Sequence, residues 1–429
     1  MTVDEKALAG VVLPAGLRNL GNTCYANSTI QCLRNMPELR FAIKNAVPNQ
    51  EPMAQFAKTL VSTCEELDSS GQPVVPAGLI SVMRRLFPLF SAGVAEGRPQ
   101  QQDAEELFNA LAQSIGAALA GPSLLPATSF DSLLGIEMEN TLKCDESGDE
   151  PESISKDKVN KLVCNVQGSQ QAGDGSSQID HLQEGLKLGL EGKVEKNSDV
   201  LGRNALWKKT SKICKLPRYL CIQFMRFFWK ATPDSRDHAG VKCKIMRKVS
   251  FPDVLDVYDF CNPTLQAALK ANRDREDKRI EDEMASKRAK LNDDGDKDKE
   301  KATGDGEKDM DVATEAEEDD EDEAAMKAAM AMSLGEEAPS TVFNSATTTT
   351  TASAADSIFT AHGLPAGFTG LYELHSIVTH KGRDSDGGHY IGWVRKESGG
   401  TQWYKYNDDK VTEHEQAEIL MLCGGGDRD

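Results

Sequence analysis

A segment from about residue 271 to about residue 361 divides the chain and limits how the remainder can fold. It consists mainly of Asp, Glu, Lys, Ala, Ser and Thr, has few large apolar residues, and contains the run TTTTTASAA. Such a segment cannot bury enough apolar surface to offset the entropy that ordering would cost. We therefore expect a disordered acidic insertion inside one domain. Two shorter stretches, residues 145–158 and 168–177, have a similar composition and are predicted to be mobile loops.

Outside the insertion, apolar periodic stretches alternate with short turn signals, which predicts a mixed α+β fold. A helix is expected to begin near Cys24, with Asn22 or Thr23 as its N-cap, and to end before Pro37. A second helix is predicted over residues 103–118. Segments rich in aromatic and β-branched residues predict strands at 219–228, 371–378, 389–394 and 402–406.

The bulk composition restricts the class of protein and its partners. A formal net charge of −19 argues against nucleic acid, which needs clustered Lys and Arg. The N-terminus has no long apolar stretch, and no apolar run is long enough to span a membrane. The ten cysteines are scattered without a C-x-x-C pair, which favours reduced thiols and disfavours a zinc ribbon. We expect a protein of the cytoplasm, with the nucleus as an alternative; the basic cluster at 287–290 is more simply a solvated patch than an import signal.

Cys24 lies where a reactive thiol would be placed. A thiol attacks a carbonyl as the thiolate, which a helix N-terminus or a nearby imidazolium stabilises. The preceding stretch, residues 16–23, contains glycines for a tight turn and two asparagines, Asn19 and Asn22, whose amides could donate to an oxyanion. A cysteine is more often a small buried apolar residue, and that interpretation is kept for Cys32, Cys64, Cys144, Cys164, Cys214, Cys221, Cys243, Cys261 and Cys423.

His389 follows Gly387 and Gly388 at the start of a predicted strand, where the lack of side-chain bulk would let a substrate backbone approach. After the next strand, Asn407 and the two aspartates that follow could accept a hydrogen bond from the imidazole, although Asn and Asp also favour plain turns. The cysteine, histidine and asparagine together indicate a thiol protease triad. Core or surface roles are expected for the other histidines, which are His181, His238, His362, His375, His380 and His414.

Four ordered motifs resemble those of the ubiquitin-specific protease family. GLRNLGNTCYANSTIQCL (16–33) is similar to its Cys box, and YELHSIVTHKGRDSDGGHYIGWVR (372–395) with WYKYNDDKV (403–411) is similar to its His box. Residues 101–107 and 216–227 resemble two further blocks, and NTLKC, NALWKK, SLLGIEME and ILMLCGGGD resemble the proteasome-associated branch. The resemblance covers nearly everything except the acidic insertion.

The resemblance implies a catalytic domain over residues 15–423 after an N-terminal extension at 1–14. Its fold would be a papain-like cysteine protease of the ubiquitin-specific type, with a helical thumb, a β palm and β fingers. Cys24 would be the nucleophile, His389 the general base, Asn407 the residue that orients His389, and Asn19 an oxyanion donor beside the Cys24 N–H. Asp408 would contact these residues without itself taking part in the reaction. Gly387 and Gly388 would help leave open the channel for the ubiquitin tail.

The chain differs from that branch at its N-terminal and C-terminal ends. Relatives carry an N-terminal ubiquitin-like domain that docks on the proteasome, so the proteasome tether is expected to be missing. Relatives also continue into a final apolar palm strand, whereas this chain ends shortly after Cys423. We therefore expect an exposed sheet edge beside the strand that bears His389, unless another segment covers it.

Within the insertion, a strongly helix-forming segment at 321–336 follows a run of acidic residues. It resembles a ubiquitin-interacting motif, in which Met326, Ala329 and Ser333 would share the binding face. The simpler alternative is an Ala-rich segment with incidental helicity, because a helix this short is marginal in isolation.

The leading hypothesis is a deubiquitinase that cleaves the bond after the C-terminal glycine of ubiquitin, with no metal or organic cofactor. Its partners would be ubiquitin, polyubiquitin conjugates and the regulatory particle of the 26S proteasome, with neither nucleic acid nor membrane. One alternative is a ubiquitin-binding adaptor with weak catalysis. Another is a papain-like protease of general peptides, which fits the Cys and His roles but not the motifs around them.

Overall fold

The computed structural model describes residues 13–47, 51–91, 94–95, 98–121, 126–166, 179–230, 241–299, 354–382 and 387–424. The chain divides into two units: residues 1–273 with 354–429, and residues 274–353. The first unit therefore contains sequence from both sides of the acidic segment. No helix among the described residues is both long and apolar enough to cross a membrane.

Helices dominate the N-terminal part of the first unit. Pro37 and Pro52 lie in the first turns of their helices, where a missing N–H costs nothing. The Asp103 side chain caps another helix by accepting from the Glu105 N–H at 2.9 Å. The helices are α1 (Cys24–Arg34), α2 (Pro37–Lys44), α3 (Pro52–Ser69), α4 (Ala77–Leu86), α5 (Ala104–Ala118) and the short α6 (Phe130–Leu133).

Helix α1 is the central helix of this region. Its residues from Cys24 to Leu33 are all buried, because the helix packs against α5 on one side and a β-sheet on the other. The sheet can approach closely at Gly392, where a Cβ would lie 3.1 Å from the Ser28 carbonyl oxygen. The start of α1 at Cys24 and the range of α5 confirm the two helices predicted from the sequence.

The first part of the β-structure begins with the short pair β1 (Val94–Ala95) and β2 (Arg98–Pro99). A four-stranded antiparallel sheet follows in the order β4-β3-β7-β6. Its strands are β3 (Ile136–Cys144), β4 (Ser153–Val159), β6 (Glu191–Ser198) and β7 (Arg203–Lys215), with helix α7 (Leu182–Leu190) leading into β6. A parallel pair joins β5 (Leu162–Asn165) to β8 (Ile222–Met225).

The C-terminal part contains a second four-stranded antiparallel sheet in the order β13-β14-β15-β16. Two antiparallel pairs precede it in sequence: β9 (Phe227–Lys230) with β10 (Val241–Lys244), and β11 (Val254–Asp256) with β12 (Leu371–Glu373). The sheet consists of β13 (Ser376–Lys381), β14 (His389–Arg395), β15 (Gln402–Asn407) and β16 (Lys410–Glu415), followed by helix α10 (Gln416–Leu420). These ranges confirm the strand predictions at 219–228, 371–378, 389–394 and 402–406, with breaks inside the first two.

The structure corrects three expectations. Residues 153–158, predicted to be part of a mobile loop, belong to β4, which pairs with β3. The segment predicted to be disordered from 271 to 361 is helical at both ends, in α8 (Pro263–Lys299) and α9 (Ala354–Ala361), where Phe359 is fully buried. Strand β14 lies between β13 and β15, so among the described residues the histidine-bearing strand is not at an exposed sheet edge. The predicted loop at 168–177 lies outside the described residues.

Candidate active site

The N-terminus of α1 presents Cys24. Thr23 is the N-cap residue and is fully buried, and its hydroxyl accepts a hydrogen bond from the Leu20 N–H at 2.9 Å. Cys24 is only 2% exposed, and its sulfur accepts from the Tyr390 N–H at 3.5 Å. The thiol therefore lies at the positive end of the helix dipole and directly against the start of β14.

His389, the first residue of β14, lies between Cys24 and Asn407. Its Nε2 is 2.6 Å from the Asn407 side-chain oxygen, so Nε2 donates and the Asn407 oxygen accepts. The pKa of His389 is raised to about 9, and its interaction with Cys24 is the largest contribution. Burial lowers this pKa, whereas the hydrogen bond to Asn407 and the charge on Asp408 raise it. The ring therefore carries a positive charge at neutral pH beside the thiol, which favours a thiolate.

The glycines before His389 have unequal roles. Gly388 has a φ of +107°, and a Cβ there would lie 2.3 Å from the Lys381 carbonyl oxygen. Only glycine fits that position without displacing the backbone. At Gly387 a Cβ would meet nothing within 4 Å. Both residues are exposed.

Asp408 links the elements of the site. Its Oδ2 accepts from the Asn19 side-chain amide at 3.0 Å and lies 3.9 Å from the Nε2 of His389. Its Oδ1 accepts from the Asn27 amide at 2.7 Å. The Asn19 side-chain oxygen accepts from the Gly21 and Thr23 N–H groups at 2.9 and 3.2 Å, which fixes which way its amide nitrogen faces.

The structure thus brings together the predicted residues Cys24, His389, Asn407, Asn19 and Asp408. Sequence reasoning missed Asn27, which lies one helical turn after Cys24 and is 2% exposed. A polar amide three residues after Cys24, on the same face of the helix, was the signal that could have identified it. The predicted ubiquitin-binding residues Met326, Ala329 and Ser333 lie outside the described residues.

The other described cysteines and histidines have different surroundings from Cys24 and His389. Burial raises the pKa of the thiols to about 12 at Cys32, Cys64, Cys164, Cys221 and Cys261. Burial also lowers the pKa of His362, His375 and His380, to about 4 at the last of these. Among the residues with described placement, no group of three or more His, Cys, Asp or Glu residues could hold a metal ion.

Known proteins match the chain along nearly its whole length. The family model described as ubiquitin carboxyl-terminal hydrolase matches residues 15–422. Ubiquitin carboxyl-terminal hydrolase 6 of Arabidopsis thaliana is 37% identical over 438 residues, covering 99% of this chain and 78% of that protein. Ubiquitin carboxyl-terminal hydrolase 6 of Schizosaccharomyces pombe is 32% identical over 422 residues, covering 97% and 76%. Ubiquitin carboxyl-terminal hydrolase 14 of Caenorhabditis elegans is 29% identical over 427 residues, covering 96% and 71%.

These matches confirm the family that the sequence motifs predict. The chain belongs to the ubiquitin carboxyl-terminal hydrolase family and is a deubiquitinating peptidase of the cysteine type.

Proposed function

We propose that Cys24 is the nucleophile that cleaves the bond after the C-terminal glycine of ubiquitin, with His389 as its acid and base. The observation that carries this proposal is that Asn407 holds the His389 ring at 2.6 Å while the next residue, Tyr390, donates its N–H to the Cys24 sulfur at 3.5 Å. The hydrogen bond to Asn407 holds the imidazole in one orientation and leaves the other ring nitrogen for the thiol.

The reaction then proceeds in two halves. The Cys24 thiolate attacks the carbonyl carbon of the terminal glycine, and the negative charge moves to the carbonyl oxygen. When the intermediate collapses, His389 gives its proton to the leaving amine and a thioester remains on Cys24. His389 then takes a proton from water, the resulting hydroxide attacks the thioester, and free ubiquitin and the Cys24 thiol are released.

Asn19 would donate to the oxyanion together with the Cys24 N–H. An amide nitrogen carries two hydrogens, so the bond from Asn19 to Asp408 leaves one for the substrate. Loss of one such donor typically lowers kcat by about 10²–10³. The exposed residues Gly387 and Gly388 would border the channel that the ubiquitin tail enters.

The same proposal assigns parts of the fold to ubiquitin recognition. Helices α1 to α6 would form the thumb, sheet β13-β14-β15-β16 the palm, and sheet β4-β3-β7-β6 the fingers that hold the ubiquitin body. The sequence motifs shared with the proteasome-associated branch support ubiquitin conjugates on the proteasome as substrates. We also include the 321–336 segment as a second contact for ubiquitin chains.

A ubiquitin probe with a thiol-reactive group at its C-terminus tests the nucleophile. We expect the wild-type protein to form a covalent adduct that Cys24→Ala abolishes. Cys32→Ala is the matched control and should label fully, because Cys32 lies two turns further along the same helix and is buried. Labelling is measured with and without proteasome, since loops over the cleft can inhibit relatives. Failure of the folded wild-type protein to label in both conditions would exclude the enzyme and favour a binding adaptor.

The contribution of the 321–336 segment needs two substrates. Ala329→Arg and Ser333→Arg should weaken binding of polyubiquitin chains several-fold, while hydrolysis of ubiquitin bearing a small fluorogenic leaving group stays at the wild-type rate. Equal chain binding by wild type and variants would remove this segment from the proposal.

A further inference from the structure

Asn27 connects the helix of the nucleophile to the loop that follows β15. Its side-chain nitrogen donates to Asp408 Oδ1 at 2.7 Å and to the Leu17 carbonyl oxygen at 3.3 Å. The residue is 2% exposed, so substrate does not reach it. Its contacts are made inside the protein, behind the groups that face the cleft.

The orientation of the Asn27 amide follows from its neighbours. A backbone carbonyl and an ionised carboxylate are both acceptors only, so the NH₂ end of the amide must face them. The oxygen of the same amide is buried without a hydrogen-bond partner among the described residues. The amide nitrogen of Asn27 therefore donates to both Leu17 and Asp408, while the amide oxygen accepts no hydrogen bond from the described residues.

Asp408 needs such a restraint because its backbone is unusual. Its φ is +53°, in the left-handed region that residues other than glycine rarely adopt. The Leu17 N–H donates to the Asp408 carbonyl oxygen at 3.0 Å, so the segment that leads into Cys24 holds the Asp408 backbone while Asn27 holds its side chain. The remaining carboxylate oxygen faces Asn19 and His389.

We propose that Asn27 is a positioning residue that fixes the Asp408 carboxylate and, through it, the Asn19 amide that faces the oxyanion. This inference rests on the proposed function, in which Asn19 stabilises the oxyanion. Asn27 itself contacts neither substrate nor the reacting atoms. Its contribution should therefore appear in kcat, with little change in KM.

The test exchanges the two partners. In Asn27→Asp, two carboxylates face each other, so Asp408 moves away and Asn19 loses its acceptor. In Asp408→Asn, one side-chain oxygen must serve both Asn27 and Asn19, and one of these bonds is lost. In the double variant Asn27→Asp/Asp408→Asn, the new amide at position 408 donates to the new carboxylate at position 27 while its oxygen accepts from Asn19. Both bonds of position 408 can therefore form again, whereas the bond from position 27 to the Leu17 carbonyl oxygen stays lost.

We measure kcat and KM with ubiquitin bearing a fluorogenic C-terminal leaving group, and the thermal midpoint of each variant. Each single variant should lose about 10-fold to 100-fold in kcat, and the double variant should exceed both of them. Iodoacetamide alkylation of Cys24, which forms no oxyanion, should stay within about threefold of wild type in Asn27→Asp. Asn272→Asp is the control, because Asn272 is also 2% exposed and its amide donates to the Phe368 carbonyl at 2.8 Å.

Wild-type kcat in Asn27→Asp, or a double variant no more active than the less active single variant, would overturn the inference while leaving the proposed function in place. If Asn27→Asp does not fold, the comparison of the double variant with Asp408→Asn decides in the same way. If the wild-type protein forms no covalent adduct with the ubiquitin probe, the proposed function itself is excluded.

Discussion

His389 is the residue whose charge the site controls most strongly. The bond to Cys24, the bond to Asn407 and the charge on Asp408 all favour the protonated ring, and burial opposes them. The pKa of about 9 means that the protonated form dominates at neutral pH. The positive charge beside the Cys24 sulfur is therefore present before substrate arrives.

The contributions to this pKa can be separated by substitution. Removing a group that stabilises the charged ring must lower the pKa of His389. We expect Cys24→Ala to lower it most, from about 9 towards the ordinary value of 6.5. Asp408→Asn should lower it by less than about one pH unit, because solvent screens a partly exposed pair. NMR titration of the His389 ring measures both changes.

Asp409→Asn is the matched control for this titration, since Asp409 is adjacent in sequence and exposed. It should leave the titration midpoint of His389 where it is in the wild-type protein. A higher pKa in Asp408→Asn, or an unchanged pKa in Cys24→Ala, would contradict the assignment of causes.

The residues of the site differ in how far sequence reasoning could reach them. Cys24, His389 and Asn407 each stand beside a local signal: a helix start, paired glycines before a strand, and a turn after one. Asn27 has only its spacing from Cys24 as a signal, and that spacing does not indicate its partners. Its partners are set by tertiary contacts to Leu17 and Asp408, and the positive φ of Asp408 is likewise a feature that the sequence alone does not show.

The secondary-structure elements show the same distinction. The strand that bears His389 is rich in apolar and aromatic residues, so its pattern predicts it. Strand β4 is almost entirely exposed and mostly polar, and it is extended because β3 supplies hydrogen-bond partners along its length. Helix α8 continues past residue 271 with ion pairs from Arg279 to Glu276 and Glu283, which support the mostly exposed part of the helix between residues 274 and 288.

The pair β9–β10 contacts the end of β13 and the residue that follows it, ahead of His389 in the chain. The Lys244 amine donates to the carbonyl oxygens of His380 and Gly382, the latter at 3.2 Å. The His380 ring packs on Tyr390 with centroids 4.6 Å apart, and its Nε2 is 3.0 Å from the Gly387 carbonyl oxygen. A side chain from one element therefore restrains the approach to β14.

Lys244→Met keeps most of the side-chain volume but removes the charged donor. We expect kcat/KM for ubiquitin substrates to fall about tenfold, mainly through KM, because the turn beside the tail channel is no longer held. Lys244→Arg should retain most of the activity, and the exposed Lys248→Met serves as the control. Steady-state kinetics that show equal KM for Lys244→Met and wild type would contradict this role.

At the scale of the whole molecule, the buried Arg395 joins segments from distant parts of the chain. Its guanidinium pairs with Asp253 and Glu373, and its Nε donates to the Leu374 carbonyl oxygen at 2.8 Å. The same group lies over the Trp403 ring, 4.8 Å from its centroid. Residues before and after the acidic segment therefore meet at one side chain that is 3% exposed.

Arg395→Met should lower the free energy of unfolding by about 3–5 kcal/mol, because it leaves buried acceptors and a carboxylate without their partner. Urea unfolding followed by circular dichroism measures the loss. Arg279→Met is the control: Arg279 also pairs with two glutamates but is 63% exposed, so the unfolding midpoint should not change measurably. A similar loss of unfolding free energy in both variants would show that burial does not determine how much an arginine contributes to stability.

The contact between Cys24 and Tyr390 spans 366 positions of the chain. During synthesis, the thiol leaves the ribosome long before the strand that carries its imidazole has been made. Helix α1 packs against β14. For most of translation, the nascent N-terminal region therefore lacks one of the elements that cover its core. Cys24 and His389 can therefore come together only after β14 has been synthesised, and shorter nascent chains contain Cys24 without His389.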